Sequence, residues 1–287
     1  GQDLKFAHGT GMGWDVAVAD SAGVVGSHTS VDFDSFDRVV VSYYDATNEA
    51  VKVAHRDSDT PLAGLWGDGS TVVFGVGDYG TVRQYRGQGW APMSSGTAVD
   101  LNGVWGASSG DVYAVGDGGT ILHYDGSAWS QTTVGTGDLY GVWGSSASNV
   151  YAVGEGGVIL RYNGSSWSAM SNGTTRSLAA VWGAPSSNDV IAVGEYGTIL
   201  RYNGSTWSSM ASGTTQWLGA VWGESSSSIF AVGDGGVILY FNGTNWAPKK
   251  TGTTTTMALR GVWGTSFSNV IAVGEQGTIL RFDGATW

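Results

Sequence analysis

Residues 139–175 read LYGVWGSSASNVYAVGEGGVILRYNGSSWSAMSNGTT, and this stretch decides the fold because close copies precede and follow it. Each copy carries a Trp-Gly dipeptide, and successive copies are separated by 39, 38, 39, 40 and 41 residues. Self-similarity at a period of roughly 20–50 residues is the signature of a repeat architecture. The tryptophans of these dipeptides are Trp66, Trp105, Trp143, Trp182, Trp222 and Trp263, and a second set follows at Trp90, Trp129, Trp167, Trp207, Trp246 and Trp287.

Within one copy, the segments between the turns have the composition of β-strands. Residues 149–153 (NVYAV) and 158–162 (VILRY) are rich in β-branched and aromatic residues, whereas residues 167–170 (WSAM) give a weaker strand. The dipeptide Asn163-Gly164 predicts a type I′ hairpin turn, in which both central residues have positive φ. With the short apolar run at 139–143, each copy supplies four strands, the pattern of a β-propeller blade.

The character of each strand indicates its place in the blade. The third strand (VILRY, TILHY, TILRY) is apolar on both faces, which is typical of a strand packed between neighbouring sheets. The fourth strand (WSQTT, WSSMA, WAPKK) varies most and is expected at the outer, water-exposed edge. The first strand carries small residues, as expected where blades converge on the axis.

The chain is therefore predicted to be a single all-β domain, a seven-bladed propeller of four-stranded antiparallel blades. The N-terminal segment 24–60 lacks the tryptophan repeat but supplies strands in blade order, so it is counted as a blade. The segment Trp14–Asp20 alternates apolar and polar residues and is expected to complete the last blade and close the ring. Leu4–His8 repeats a third strand that the last blade already has, so it is a surplus strand, a frayed segment or a remnant of a longer array. The predicted blades are 24–60, 61–100, 101–138, 139–177, 178–217, 218–258 and 259–287 with 14–20.

The composition excludes several classes of function. There is no cysteine, so thiolate chemistry is excluded, and the net charge of −11 argues against binding to a nucleic-acid backbone. Glycine accounts for 48 of 287 residues and charged residues for 13%, against an average of about 25%. No membrane span is visible. A surface rich in Ser, Thr and Asn indicates an exported bacterial protein, secreted, periplasmic or on the cell surface.

The phrase AVGEGGVILRYNGSSW and its partners over residues 62–287 resemble the repeat of the photosystem II stability/assembly factor-like propellers, which are related to Asp-box (BNR) repeats. An aromatic residue stands where the Asp-box aspartate would be. Residues 24–56 are similar to another repeat of exported bacterial propellers. The resemblance implies an exported, non-enzymatic propeller, and it does not imply a photosynthetic role.

One carboxylate per repeat follows the AVG or GVG that ends the second strand. Since these turns open on one face of a propeller, the six side chains are expected to ring it, and we call them the acidic collar. One interpretation is a binding surface for a cation, a basic partner or sugar hydroxyls. The other, favoured by the strict repetition, is that each acid accepts backbone N–H bonds in a tight G-[D/E]-x-G turn. The collar consists of Asp78, Asp117, Glu155, Glu195, Asp234 and Glu275.

Trp217 is the second candidate, because it lies outside the repeat pattern on a loop between blades, and such loops carry specificity. The tryptophans of the repeat are expected to pack between blades. Arg161, Arg201 and Arg281 share one position in the third strand and are expected to be structural.

No catalytic constellation, metal site or cofactor motif is recognisable, so the chain is not expected to be an enzyme. Two functions stay open. The first is a protein-interaction scaffold in a larger assembly. The second is a glycan-binding propeller with sugar pockets between blades, in which Tyr162, Asn163 and their copies contact the sugar.

Overall fold

The computed structural model describes residues 62–67, 69, 72–87, 89–135, 137–184, 188–249 and 255–287, together with the backbone of three strands at 29–33, 39–45 and 50–54. The N-terminal strands are β1 (Thr29–Phe33), β2 (Val39–Asp45) and β3 (Ala50–Ala54). The tryptophan repeat then forms six blades, numbered 1 to 6 in chain order.

Blades 1 to 5 have four strands each and blade 6 has three among the described residues. Blade 1 contains β4 (Leu62–Gly67), β5 (Val72–Gly77), β6 (Thr81–Arg86) and β7 (Trp90–Met93); blade 2 contains β8 (Leu101–Ser108), β9 (Asp111–Gly116), β10 (Thr120–Tyr124) and β11 (Trp129–Thr133); blade 3 contains β12 (Leu139–Ser146), β13 (Asn149–Gly154), β14 (Ile159–Tyr162) and β15 (Trp167–Ala169); blade 4 contains β16 (Leu178–Gly183), β17 (Asp189–Gly194), β18 (Ile199–Asn203) and β19 (Trp207–Met210); blade 5 contains β20 (Leu218–Ser225), β21 (Ser228–Gly233), β22 (Ile238–Phe241) and β23 (Trp246–Pro248); blade 6 contains β24 (Leu259–Ser266), β25 (Asn269–Gly274) and β26 (Thr278–Phe282).

The strands of each blade follow one another in a simple antiparallel meander, as the repeat predicts. In blade 3, for example, β13 pairs with β12 and β14, and β14 pairs with β15. The register between β12 and β13 is interrupted between Leu139 and Gly141 and again between Gly144 and Ser146. Such bulges increase local twist, and they recur in blades 2, 5 and 6.

The predicted count of seven four-stranded blades is wrong, because the structure shows six blades. Residues 29–54 form a three-stranded sheet in the order β1-β2-β3, without a fourth strand among its described residues. This segment lacks both the Trp-Gly dipeptide and the G-[D/E]-x-G turn, the features that pack one repeat blade on the next. Its strand β1 contacts β4 and β24, the first strands of blades 1 and 6. The closing segment Trp14–Asp20 and the surplus strand Leu4–His8 lie outside the described residues.

The second strand of each blade forms the centre of the core. In β13, the residues from Val150 to Gly154 are all buried, and the same pattern holds in β9, β17 and β21. The third strands of blades 2 to 5 are also largely buried, with Ile159 and Leu160 no more than 3% exposed. In contrast, β26 of blade 6 is only partly buried, and β11 is mostly exposed. The predicted placement of the third and fourth strands is therefore confirmed.

In blades 1 to 5, the tryptophan of the Trp-Gly dipeptide packs against the glycine of the next blade's dipeptide. A Cβ added at Gly106 would lie 2.7 Å from the indole ring of Trp66 in blade 1, and one at Gly144 would lie 2.6 Å from that of Trp105. Only glycine leaves room for the ring at these positions. The prediction that these tryptophans pack between blades is confirmed.

A second aromatic cluster ties neighbouring blades together nearer the rim. Tyr151 of β13 contacts Tyr202 and Trp207 of blade 4, with ring centroids 6.0 and 6.4 Å apart. Phe230 makes the same contacts with Phe282 and Trp287 of blade 6. Because each cluster takes rings from two blades, burial of large aromatic surface stabilises the ring as a whole.

The Asn-Gly turn between the third and fourth strands differs from the predicted type I′ turn. Only Gly164 has positive φ, at 94°, and Asn163 does not. The side-chain Oδ1 of Asn163 instead accepts the backbone N–H groups of Ser165 and Ser166 at 2.9 and 3.0 Å. An asparagine that closes its own turn in this way spans a four-residue loop, so no second positive φ is needed.

Candidate functional site

The residues of the acidic collar lie in the turns between the second and third strands, which open on one face of the propeller. Each of its carboxylates begins a three-residue 3₁₀ turn between the second and third strands, such as Glu155–Gly157 in blade 3 and Glu195–Gly197 in blade 4. In an antiparallel meander, the loops that join one blade to the next open on this same face. We call it the collar face, and the opposite one, with the Asn-Gly turns, the hairpin face.

In most collar turns, the two glycines are required by close approach to the loop between blades, and blade 3 is an example. A Cβ on Gly154 would overlap the carbonyl oxygen of Asp138, although the backbone of Gly154 is extended. Gly157 has φ 78°, and a Cβ there would meet the carbonyl oxygen of Thr174 at 2.5 Å. The G-[D/E]-x-G pattern is thus a packing requirement of the fold.

The carboxylates themselves are held differently from blade to blade. Oε2 of Glu195 accepts the backbone N–H of Ser177 at 2.9 Å, and Oε2 of Glu155 accepts that of Asp138 at 3.4 Å. Both donors lie in the loop between blades and not in the turn that carries the acid. Oδ1 of Asp117 accepts the side-chain amide of Asn102 at 3.0 Å. In these three blades, the carboxylate therefore joins its turn to the loop between blades or to a side chain of the first strand.

Two further acids on this face, Asp100 and Asp138, are residues that the sequence analysis did not select. Oδ1 of Asp100 accepts the backbone N–H of Tyr79 at 2.8 Å, and Oδ1 of Asp138 accepts that of Gly118 at 2.9 Å. They lie at the position before the first strand, where the other blades have Ser177, Trp217 and Ala258. Each reaches the turn of the preceding blade and adds a negative charge to the collar face.

A variable position in the first strand also lies beside the collar. The repeat reads L-x-G-V-W, and the x residue of blade 6, Arg260, bridges two blades. Its guanidinium donates to Oδ1 of Asp234 at 2.7 Å and to Oε1 of Glu275 at 2.5 Å. The equivalent residues of blades 1 to 5 are Ala63, Asn102, Tyr140, Ala179 and Gly219. A single position that varies inside a near-invariant segment was the sequence signal for this site.

The crowding of carboxylates shifts the pKa values of nearby groups. Burial raises the pKa of Asp78, and the charges of Asp100 and Asp117 raise it further. Burial also raises the pKa of the Tyr140 hydroxyl, with the charge of Asp138 as the next cause and that of Glu155 after it. At both groups, the charges of neighbouring carboxylates add to the effect of burial.

Tyr79 and Tyr196 are the large apolar side chains that project most from the described surface. They are 77% and 66% exposed, and both lie at the second position of a collar turn. Their φ values of 54° and 52° fall in the left-handed region, which three other blades fill with glycine. Trp217 is half-buried, and its carbonyl oxygen accepts the backbone N–H of Asp234 at 2.9 Å.

The hairpin face holds its charges in cross-strand pairs. Arg201 donates to both carboxylate oxygens of Asp189, at 2.9 and 3.0 Å, and Nε2 of His123 lies 2.9 Å from Oδ1 of Asp111. The guanidinium groups of Arg161 and Arg281 each bond an asparagine at the same place. The third-strand arginines are therefore structural, as predicted.

Among the described residues, no group of three or more His, Cys, Asp or Glu side chains is placed to hold a metal ion. In the same part of the chain, no helix is long and apolar enough to cross a membrane.

Comparison with known proteins supports the fold. No protein family and no curated protein sequence matches the chain. The structure of YCF48 bound to a D1 peptide is similar to it, with a TM-score of 0.67 and 14% identity over 91% of each chain. YCF48 from Cyanidioschyzon merolae has a TM-score of 0.65 and 14% identity, over 90% of this chain and 96% of that one. Chaetomium thermophilum Sqt1 has a TM-score of 0.69 and 12% identity, over 88% of this chain and 78% of that one. The resemblance to photosystem II assembly factor-like propellers is thus confirmed at the level of the fold.

Proposed function

We propose that this protein is a non-enzymatic, exported protein-interaction scaffold, a single propeller domain whose working surface is the collar face. The observation that carries the proposal is the charge imbalance of that face. Among the described residues it has eight carboxylates, the six of the collar with Asp100 and Asp138, against the guanidinium groups of Arg176 and Arg260. A surface with such a field attracts cationic partners.

Similar propellers support a protein partner. One of the similar structures is YCF48 bound to a D1 peptide, so a propeller of similar fold can bind a peptide. The partner of the present chain is expected to present lysine or arginine side chains to the collar. This chemistry follows from the excess of carboxylates over guanidinium groups, because a neutral partner would leave most of the carboxylates without counter-charges.

The glycan-binding alternative gains little support at the place where the sequence located it. Oδ1 of Asn163 is occupied by three bonds within its own turn, from two backbone N–H groups and the Ser165 hydroxyl. Asn203 and Asn242 are used in the same way. Tyr162 packs on Trp167, with ring centroids 5.3 Å apart. These side chains hold the hairpin and leave few polar atoms for a sugar.

The test compares equal losses of charge on the two faces. The collar variant carries Glu155→Gln, Glu195→Gln and Glu275→Gln. A nonapeptide of alternating lysine and glycine, labelled with fluorescein, serves as the cationic probe. At about 50 mM salt we expect the collar variant to bind the peptide at least about 10-fold more weakly than the native protein, since three charges of the field are lost. Fluorescence anisotropy measures the affinity, and raising the salt should reduce the difference.

The matched control carries Asp125→Asn, Asp283→Asn and Glu224→Gln, which removes three charges from the hairpin face. The net charge of the two variants is the same, so the control is expected to bind like the native protein. If both variants weaken binding equally, net charge alone is responsible and the proposal fails. If the collar variant binds normally but melts at a lower temperature, the carboxylates serve only the fold.

A further inference from the structure

The outer edge of blade 4 is the strand β19, which pairs with β18 and, among the described residues, with no other strand. In an antiparallel ladder, hydrogen-bonded pairs alternate with non-bonded ones. The hairpin before β19 sets the alternation, because the N–H of Asn203 donates to the carbonyl oxygen of Thr206 at 3.3 Å. Three steps along the ladder, Leu200 and Ser209 are therefore a non-bonded pair. The N–H and C=O of Ser209 point away from β18 and are open to another strand.

Two of the other blades have a proline at this position of the outer strand. Pro92 of β7 and Pro248 of β23 lie in the register that Ser209 has in β19. Proline has no N–H, so it prevents the pairing of a further strand at that point. Blades 2 and 3 have Gln131 and Ala169 there. The outer edges of blades 1 and 5 are thus blocked, whereas that of blade 4 is not.

A groove of about 660 Å³ lies beside this edge, between blades 3 and 4. It is lined by residues 207–212 on the side of β19 and by the loop 172–176 of blade 3 on the other. The loop is held by Asn172, whose side-chain amide donates to the carbonyl oxygen of Gly157 at 2.7 Å and whose Oδ1 accepts the N–H of Thr174 at 3.0 Å. The open backbone groups of β19 therefore lie beside a space whose opposite wall is preformed.

Arg176 is the one charged side chain in the lining of the groove. Its guanidinium carbon lies 5.3 Å from the centroid of the Tyr196 ring. It forms no ion pair with a described residue, whereas Arg201 and Arg260 each pair with a carboxylate. Because stacking on a ring leaves the N–H donors in the guanidinium plane open, Arg176 can still bind a carboxylate.

We infer that β19 accepts an extended segment of a partner protein as a fifth strand of blade 4, and that an aspartate or glutamate of this segment pairs with Arg176. We call this site the β19 edge, and it consists of the outward backbone groups of Trp207 and Ser209 with the loop 172–176. Backbone pairing holds an extended segment with little regard to its sequence, and pairing with a charged side chain adds selectivity. The inference goes beyond the proposed function, because the outer strand of a blade is not part of the acidic collar.

The test of Arg176 uses two fluorescein-labelled nonapeptides of alternating threonine and valine, one with an aspartate at each end and the other with an asparagine. Fluorescence anisotropy is measured at about 150 mM salt, where screening weakens the repulsion of an acidic peptide by the net charge. The native protein is expected to bind the aspartate peptide at least about 3-fold more tightly. Arg176→Gln should bring the two affinities to within about 1.5-fold of each other, because the charge that selects the carboxylate is lost.

The test of strand addition is Ser209→Pro, which removes the outward N–H and leaves the ladder between β18 and β19 intact. This variant should bind both peptides at least about 10-fold more weakly. It should melt like the native protein, since Pro248 has the same place in blade 5. The matched control is Gln131→Pro, which makes the same change in blade 2 and is expected to keep the native affinities.

Amide hydrogen exchange followed by NMR tests the same contact without a substitution. In the free protein, the amide of Ser209 is expected to exchange rapidly, and that of Met210, which is paired with Ile199, slowly. Saturation with the aspartate peptide should slow the exchange of Ser209 at least about 10-fold, because a strand that pairs with β19 protects its outward N–H. An unchanged exchange rate of Ser209 in the saturated protein would overturn the inference.

The remaining outcomes are equally decisive. Binding of neither peptide, equal affinity of the native protein for both, or equal losses in Ser209→Pro and Gln131→Pro would each overturn the β19 edge. A dimer of the native protein that Ser209→Pro abolishes would show that a second copy takes the edge, and maltoheptaose binding that Arg176→Gln abolishes would assign the groove to a sugar. The lysine peptide of the collar test should bind Ser209→Pro and the native protein alike, so the β19 edge and the proposed function can fail separately.

Discussion

The two faces of this propeller are made by the same repeat, yet they treat charge in opposite ways. On the hairpin face, acids are bonded by groups of the same blade. Asp189 forms an ion pair with Arg201, and Asp125 accepts three hydrogen bonds within its own turn. On the collar face, burial raises the pKa of Asp78, and the nearby charges of Asp100 and Asp117 raise it further. The acids of the hairpin face are therefore bonded by nearby groups, whereas the collar face carries an excess of negative charge.

The difference indicates which positions of the repeat can vary in sequence without loss of the blade. Hairpin-face pairs recur at one register position, with Arg161 and Asn149 in blade 3 repeating the arrangement of Arg201 and Asp189 in blade 4. Collar-face residues at equivalent positions are unlike each other, as Asn102, Tyr140 and Arg260 show. Uniform positions maintain the blade, and divergent positions on a uniform scaffold are where a specific partner would be recognised.

The largest expected effect on stability comes from substituting the glycines of the collar turns that lie against the loop between blades. Gly154→Ala on the collar face should destabilise the protein by about 3 kcal/mol, since its Cβ would overlap the carbonyl oxygen of Asp138 and force the backbone apart. Gly126→Ala on the hairpin face should cost only about 1 kcal/mol, because it meets mainly the strain of φ 93° and a neighbour at 3.3 Å. Chemical denaturation measures both. Equal costs would show that the collar turns are not packed more tightly than the hairpins.

A smaller effect is expected from removing single acids. Asp189→Ala should cost about 1.5 kcal/mol, because its carboxylate is 18% exposed and its loss leaves the Arg201 guanidinium without its paired bonds. Glu155→Ala should change the free energy of unfolding by less than about 0.5 kcal/mol, since Glu155 is exposed and the bond that its carboxylate accepts from the N–H of Asp138 is 3.4 Å long.

A double-mutant cycle with Arg201→Ala separates the pair energy of Asp189 from the cost of truncation. A coupling near zero would contradict the view that hairpin-face charges stabilise the blade. A cost for Glu155→Ala as large as that for Asp189→Ala would show that the collar acids are structural.

Much of the fold could be predicted because the same strand and turn signals recur in every copy of the repeat. Strand order, the burial of β14 and the exposure of β11 all followed from apolar runs and turn residues. The blade count failed because residues 29–54 were treated as equivalent to the repeat on the order of their strands alone. The packing contacts that define a blade here, tryptophan against glycine, are absent from that segment's sequence.

The candidate site was predicted less completely, for a physical reason. The collar acids recur in sequence and were found, whereas Asp100, Arg260 and Tyr196 act through neighbours in the adjoining blade. Arg260, for example, meets Asp234, which lies 26 residues away in the chain. A contact between blades depends on twist and register, and these are not visible in one repeat. The signal in the sequence was that the residue differs from blade to blade at three positions of the repeat, those of Arg260, Tyr196 and Trp217.

The smallest expected effect concerns protonation, and it has opposite signs on the two faces. The turn bonds to Ser127 and Ala128 lower the pKa of Asp125 to about 2, so its stabilising contribution is complete above the ordinary pKa of 3.8 and is lost as the pH falls through about 2.

The pKa of Asp78 is raised, so its ionised form opposes folding above that pKa. Asp78→Asn should therefore raise the melting temperature slightly at pH 7, by less than about 2 °C, and leave it unchanged near pH 3, where the native carboxyl is already protonated. Carboxyl-carbon NMR titration measures both groups directly. A pKa of Asp78 at or below 3.8 would show that the collar face does not carry the uncompensated field that sets it apart from the hairpin face.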